Sequence, residues 1–234
     1  MAFLSLAACG SDGTSPPIGQ PTPSPAPPAI VTLEFDFAAV GSEWTSGIAE
    51  FGDRARVNFE TGVETVPPDL STRTGLKLAG TNVTDDLAMF TWRRIINLEA
   101  NRLYRIETRL ELASNVPPGC IGAGGAPGES VFVKAGASAS QPGVDAQQQL
   151  SVDKANQSQS GSEAVVIGDL AVPGAGTCSS GVFAAKTIEG AASDAPIVSS
   201  NANGELWLIV LSDSGFEARS EWYLLNARFT LTPQ

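Results

Sequence analysis

The stretch Ser114–Ala137, SNVPPGCIGAGGAPGESVFVKAGA, holds two kinds of chain. Its first half is the densest glycine and proline run of the folded part, with Cys120 inside it. Glycine there lets the backbone approach a ligand closely, or adopt angles closed to other residues. From Val131 the pattern switches to alternation. Val131, Val133 and Ala135 point one way and Phe132, Lys134 and Gly136 the other, which is the period of a half-buried strand.

Outward from this stretch the alternation recurs. Upstream, Ile30–Phe37 sets Val31, Leu33, Phe35 and Phe37 against Thr32, Glu34 and Asp36. Gly75–Gly80 and Leu87–Ile96 read as strands, and Leu103–Leu112 alternates Arg105, Glu107, Arg109 and Glu111 with Tyr104, Ile106, Thr108 and Leu110. Downstream, residues 151–161 form a polar loop, and Ala164–Ala171 reads as a buried strand. A second Gly/Pro/Ser loop carries Cys178, and Glu205–Leu211 is the most hydrophobic strand. Trp222–Leu231 closes the domain. Short strands, Gly/Pro/Asn turns and no long amphipathic helix predict an all-β fold, a sandwich of two antiparallel sheets.

The formal net charge is −11, which opposes binding to nucleic acid or to anionic lipid surfaces. The chain has no histidine. The usual general base, the usual zinc ligand and any Ser-His-Asp or Cys-His arrangement are therefore excluded. The Gly124–Gly128 run lacks the Lys-Ser/Thr ending of a phosphate-binding loop.

At the N-terminus, Leu6-Ala7-Ala8-Cys9 resembles the lipobox of bacterial lipoproteins. The resemblance implies cleavage before Cys9 and lipidation of its thiol, and Gly10 in place of aspartate implies sorting to the outer membrane. The positively charged start of such signal peptides is missing, since the first Lys or Arg is Arg54. An ordinary hydrophobic N-terminus with a stray cysteine is the alternative. Three segments are expected: a partial signal peptide over 1–8, a lipidated Pro/Ser-rich disordered tether over 9–29, and a single sandwich domain over 30–234. With Cys9 lipidated, Cys120 and Cys178 are an even pair in an oxidising compartment. A disulfide between them would be worth on the order of 4 kcal/mol by chain entropy. Two free thiols or metal ligands are the alternatives.

The domain resembles the jelly rolls of the galactose-binding and carbohydrate-binding-module superfamily in three phrases. They are Phe35-Asp36-Phe37 with Trp44 and Phe51, Leu98–Thr108, and Tyr223–Leu231. The middle of the chain looks like an uncharacterised group of secreted bacterial proteins. The resemblance implies a jelly-roll-like fold and a non-catalytic binding module for carbohydrate or another envelope glycan. The family's closing aspartate, often a calcium ligand, falls at Leu225 here, with Asn226 beside it.

Sugar binding in such folds uses exposed aromatic faces with nearby polar groups. Trp92 and Trp222 are the better candidates for exposure and so for ligand contact, although burial is favoured even for these, while Trp207 is expected in the core and Trp44 at a sandwich end. Structural calcium needs clustered hard oxygens, and Asn82, Asp85 and Asp86 are the preferred set. Asp153, Asn156 and Ser158 are a second set, and Asp213 with Glu217 a third. Glu129, Asp213 and Glu217 are the acids for ligand contact, or for a two-carboxylate hydrolase if they share a cleft. A structural or assembly protein of the envelope, binding another protein, is the further alternative.

Overall fold

The computed structural model describes residues 29–234. Cys9, the signal segment and nearly all of the tether lie outside the described residues. The strands are β1 (Val31–Asp36), β2 (Thr45–Ala49), β3 (Glu60–Thr65), β4 (Thr74–Thr81), β5 (Leu87–Ile95), β6 (Leu103–Ser114) and β7 (Val131–Ser138). They continue as β8 (Ala164–Asp169), β9 (Gly176–Thr177), β10 (Ser180–Gly181), β11 (Ala184–Glu189), β12 (Ile197–Ser199), β13 (Leu206–Ser214) and β14 (Arg219–Pro233). The pairings are antiparallel throughout.

Two sheets make a jelly-roll-like β-sandwich. One has seven strands in the order β11-β6-β14-β4-β3, with β12 also on β6 and β1 also on β14. The other has five, in the order β2-β5-β13-β7-β8. Between them Leu76, Leu78, Ile106, Leu110, Leu112 and Phe229 meet Met89, Val131, Val133, Leu208 and Val210. Each fully buried side chain of this size contributes about 1.5–3 kcal/mol relative to exposure. Phe37 leaves the strand pattern and starts a short helix, α1 (Phe37–Val40), because the Asp36 carboxylate caps the Ala38 N–H at 3.0 Å. The turn folds Trp44 back onto Phe35 and Phe37, with ring centroids 5.2 and 5.1 Å apart, and plugs that end of the core.

Cys120 and Cys178 form a disulfide with Cα atoms 5.5 Å apart, tying the Gly-rich loop to the loop between β9 and β10. Inside the Gly-rich loop, Gly124 has φ +70°, a conformation that glycine adopts without strain.

Two expectations change. Trp222, a candidate for ligand contact, is completely buried, because its register places it opposite Leu78 on the inward face of β14. Strand β7 is buried on both faces, not one. Val131, Val133 and Ala135 face the sandwich core, as the alternation requires, but Lys134 and Gly136 on the other face are buried too. Residues 139–163 fold back over this outer face. Leu150 and Val152 pack there against Ala49, Ala88, Phe90, Ile209 and Leu211 in a second apolar cluster. Gly136 permits the approach, since a Cβ there would meet the carbonyl oxygen of Glu163.

Candidate functional site

Two places concentrate polar chemistry, one on each outer face of the sandwich. The first lies open on the seven-stranded sheet. Antiparallel register sets Asp36, Asn226, Glu111 and Thr187 side by side across β1, β14, β6 and β11. The next rung is Glu34, Arg228, Arg109 and Glu189. Directly opposed residues share a face, so the two rungs form one polar patch. It floors a shallow groove of about 500 Å³. Arg228 pairs with Glu34 at 2.6 Å, Arg73 reaches Glu111 at 2.7 Å, and Asn226 Nδ2 donates to Glu111 Oε2 at 2.6 Å. The hydrogen bonds from Arg73 hold the Glu111 carboxyl below its ordinary value. Arg109 is exposed and has no ion pair or side-chain hydrogen bond among the described residues. The alternation Arg105-Glu107-Arg109-Glu111 marks this face in the sequence. Its partners on β1, β11 and β14 come from the topology.

The second place lies beneath residues 139–163. Lys134 from β7 and Asp213 from β13 are both fully buried, and Lys134 Nζ donates to Asp213 Oδ2 at 2.8 Å and to the Lys154 carbonyl at 2.8 Å. Lys154, brought in by the covering loop, also donates to Asp213 Oδ2 at 2.8 Å and contacts Glu50 Oε2 at 2.5 Å. The Gln157 backbone N–H makes a third bond to Asp213 Oδ2, at 2.9 Å. Asp213 Oδ1 and Asp86 Oδ1 are buried without a hydrogen-bond partner among the described residues. One carboxylate oxygen from each of Glu50, Asp86 and Asp213 lies within 4.8 Å of the others. A cleft of about 470 Å³ opens beside them, lined by Glu50, Asp86, Ser151, Lys154 and Asn156 among others.

Burial sets the protonation in this cluster. It pushes the Glu50 carboxyl up against the pull of Lys154, and it pushes Asp86 up with help from the Asp213 charge. It draws the Lys134 amine down. Burial also opposes the charge on Lys154, but Asp213 and Glu50 outweigh it and hold that ammonium above its ordinary value.

The expected calcium set does not assemble. Asn82 Nδ2 donates to the Ser214 carbonyl at 2.7 Å and its Oδ1 accepts from the Thr84 N–H, so the amide braces a turn. Asp85 is exposed at φ +64°. Of the two carboxylates, Asp86 is the one that turns inward, to Glu50 and Asp213. Those three oxygens could hold a cation, and the positive charges beside them are the Lys134 and Lys154 ammonium groups. Of the second set, Asp153 instead accepts from Ser162 and Ala155 within the covering loop.

The other sequence candidates scatter. Glu129 accepts from the Gly119 N–H at 2.6 Å and braces the disulfide loop. Glu217 is exposed in the turn before β14, away from the buried cluster that holds Asp213. Trp92 is partly buried against the second apolar cluster. Trp207 is buried on the outward face of β13, opposite Ser138, and Trp44 is buried in the main core. Lys134 and Lys154 were missed in the sequence. A lysine inside the run VFVKAGA was the available signal.

The chain matches no protein-family model and no curated protein. Among solved structures it is similar to a carbohydrate-binding module characterised for specific mannan recognition, at 13% identity and TM-score 0.35, over 87% of this chain and 99% of that one. It is also similar to the C-terminal carbohydrate-binding module of a marine laminarinase from Zobellia galactanivorans, at 16% identity and TM-score 0.30, over 86% and 99%. The enzymatically active domain of tailspike protein 4 from bacteriophage CBA120 matches at 16% identity and TM-score 0.34 over 79% of this chain, which spans 19% of that one. Likeness at this level assigns neither a family nor a ligand.

Proposed function

We propose that the protein is a non-catalytic glycan-binding module, displayed on the bacterial cell envelope by a lipidated Cys9, and that the open groove of the seven-stranded sheet is its binding face. The observation that carries this reading is the two-rung ladder with an uncommitted guanidinium at its centre. Carboxylate, amide and guanidinium groups each offer two acceptors, two donors or one of each in a plane. Spaced across strands, they match the vicinal hydroxyls of a sugar chain lying over the sheet. Among the described residues the aromatic side chain that lines the groove is Phe35, and it is turned into the core, so recognition runs through hydrogen bonds. The ladder carries both signs of charge, which suits a neutral or weakly charged polysaccharide.

Binding is tested by titration calorimetry and by retention on immobilised polysaccharides, with wild type and two variants. Arg109→Ala and Asn226→Ala are each expected to weaken a measured affinity by about tenfold or more, equivalent to about 1.4 kcal/mol. Absence of binding across a broad glycan panel, or equal binding by both variants, would falsify the assignment. The anchor is tested separately, by labelling with a palmitate analogue in a bacterial host. Labelling lost in Cys9→Ser supports it, and an unlabelled wild type rejects it.

A further inference from the structure

We propose that Lys134 and Asp213 are a modification site, at which the protein joins its own β7 and β13 through an amide bond between the two side chains. The reacting groups already touch, with Nζ 2.8 Å from Oδ2, and both side chains are fully buried. Water, which keeps an amine and a carboxylic acid apart as hydrated ions, is excluded from both. A buried ion pair also carries a desolvation cost that a neutral amide does not, so burial shifts the balance toward condensation.

The surroundings supply the remaining parts of the reaction. The Lys154 ammonium and the Gln157 N–H both donate to Asp213 Oδ2, where they would hold the negative charge of a tetrahedral adduct. Asp213 Oδ1, the oxygen free of such bonds, is the one that leaves. Asp86 and Glu50, each with a carboxylate oxygen within 4.8 Å of one from Asp213, stand beside the pair as proton carriers. The Lys134 nitrogen bonds to the Asp213 carboxyl carbon, and the bond from that carbon to Oδ1 breaks. Of the three protons on the lysine ammonium, two pass through the carboxyl pair to Oδ1, which departs as one water. The third stays on the amide nitrogen. No oxidant, reductant or co-reactant is consumed, and the cleft lined by Glu50 and Asp86 gives the water an exit. Lys154 acts as the donor and not the nucleophile: its Nζ is shared between Glu50 Oε2 at 2.5 Å and Asp213 Oδ2 at 2.8 Å, whereas the carboxylate that Lys134 pairs with is Asp213.

The test is the mass of the purified full-length chain, reduced and in denaturant, followed by peptide mapping. The wild type is expected to be lighter than its sequence by one water, with the segment containing Lys134 joined to the one containing Asp213. Lys134→Arg is expected at full mass. Succinimide formation at Asp12-Gly13 would also remove one water, so the map decides. A wild type at full mass overturns the proposal, and so does a link from Lys154 or a loss confined to Asp12. Asp86→Asn keeps both reacting groups and removes a proton carrier. Its folding is checked by near-ultraviolet circular dichroism, and it is expected to form the link at least tenfold more slowly. An unchanged rate removes Asp86 from the reaction.

Discussion

The two outer faces of the sandwich carry the same side-chain chemistry in opposite surroundings. On the seven-stranded sheet, Arg228 and Glu34 pair at 2.6 Å with side chains 53% and 65% exposed. On the five-stranded sheet, Lys134 and Asp213 pair at 2.8 Å with both side chains 0% exposed. The contact distances are alike, yet the medium is not. Two unit charges at 4 Å attract by about 1 kcal/mol in water and about 4 kcal/mol at the effective dielectric of a protein site. What separates the faces is the cover. Residues 139–163 lie over one sheet and turn its ion pairs into a buried network, whereas the other sheet keeps its groups available to a ligand.

The most direct way to break the comparison is to remove the hub of the buried network. Asp213→Ala leaves Lys134 without a carboxylate partner in a dry site, and is expected to cost about 3–5 kcal/mol in urea unfolding. A closed amide between β7 and β13 would add to that loss. A cost under about 1 kcal/mol would mean that the covered face behaves like the open one. Lifting the cover itself is the next step. Leu150→Ala removes apolar contacts with Phe90, Ile209 and Leu211 and is expected to cost at least about 2 kcal/mol, with faster hydrogen exchange across 139–163. Exchange that rises uniformly over the whole sandwich would show that the cover has no separate stability.

The faces should also respond to pH with opposite sign. Glu50 and Asp86 titrate above their ordinary values in the folded state, so through that window the native protein binds more protons than the unfolded chain. Stability then falls as pH rises from the ordinary carboxylate range through the raised values. Glu111 titrates below its ordinary value, because it accepts hydrogen bonds from Arg73. Its contribution is present above the ordinary value and is lost as pH falls through the depressed one. Unfolding measured against pH should therefore lose part of its downward slope above the carboxylate range in Glu50→Gln, the rest belonging to Asp86. In Glu111→Gln it should lose part of its acid-side rise. Identical profiles in the two variants would refute the assignment.

The sandwich was legible because its signal is local. Alternation in Val31–Phe35, Leu103–Leu112 and Val131–Ala135 names the inward residues directly. The disulfide was legible from the count and setting of the cysteines. The buried cluster was not, since it joins Glu50, Asp86, Lys134, Lys154 and Asp213, which are distant in sequence and come from strands and loops. Residues 151–161 read as a polar loop because they are polar; nothing local says that Lys154 turns inward onto another element. Trp222 misled for a related reason. Its neighbour Glu221 suggests a surface, but the inward face is set by pairing with Leu78, and an irregularity between Leu224 and Asn226 shifts the register farther along.

The smallest expected effect supplies the control for the others. Arg228→Ala deletes an ion pair as short as the buried one, but from the open face, where solvent screens the charges. It is expected to change stability by no more than about 1 kcal/mol, and by less at high salt. The same substitution should still weaken glycan binding, since it removes a donor from the second rung. Stability and binding therefore part company on the open face, while on the covered face stability alone should move. An Arg228→Ala variant that unfolds as readily as Asp213→Ala would show that the ladder is structural and that its groups are not free for a ligand.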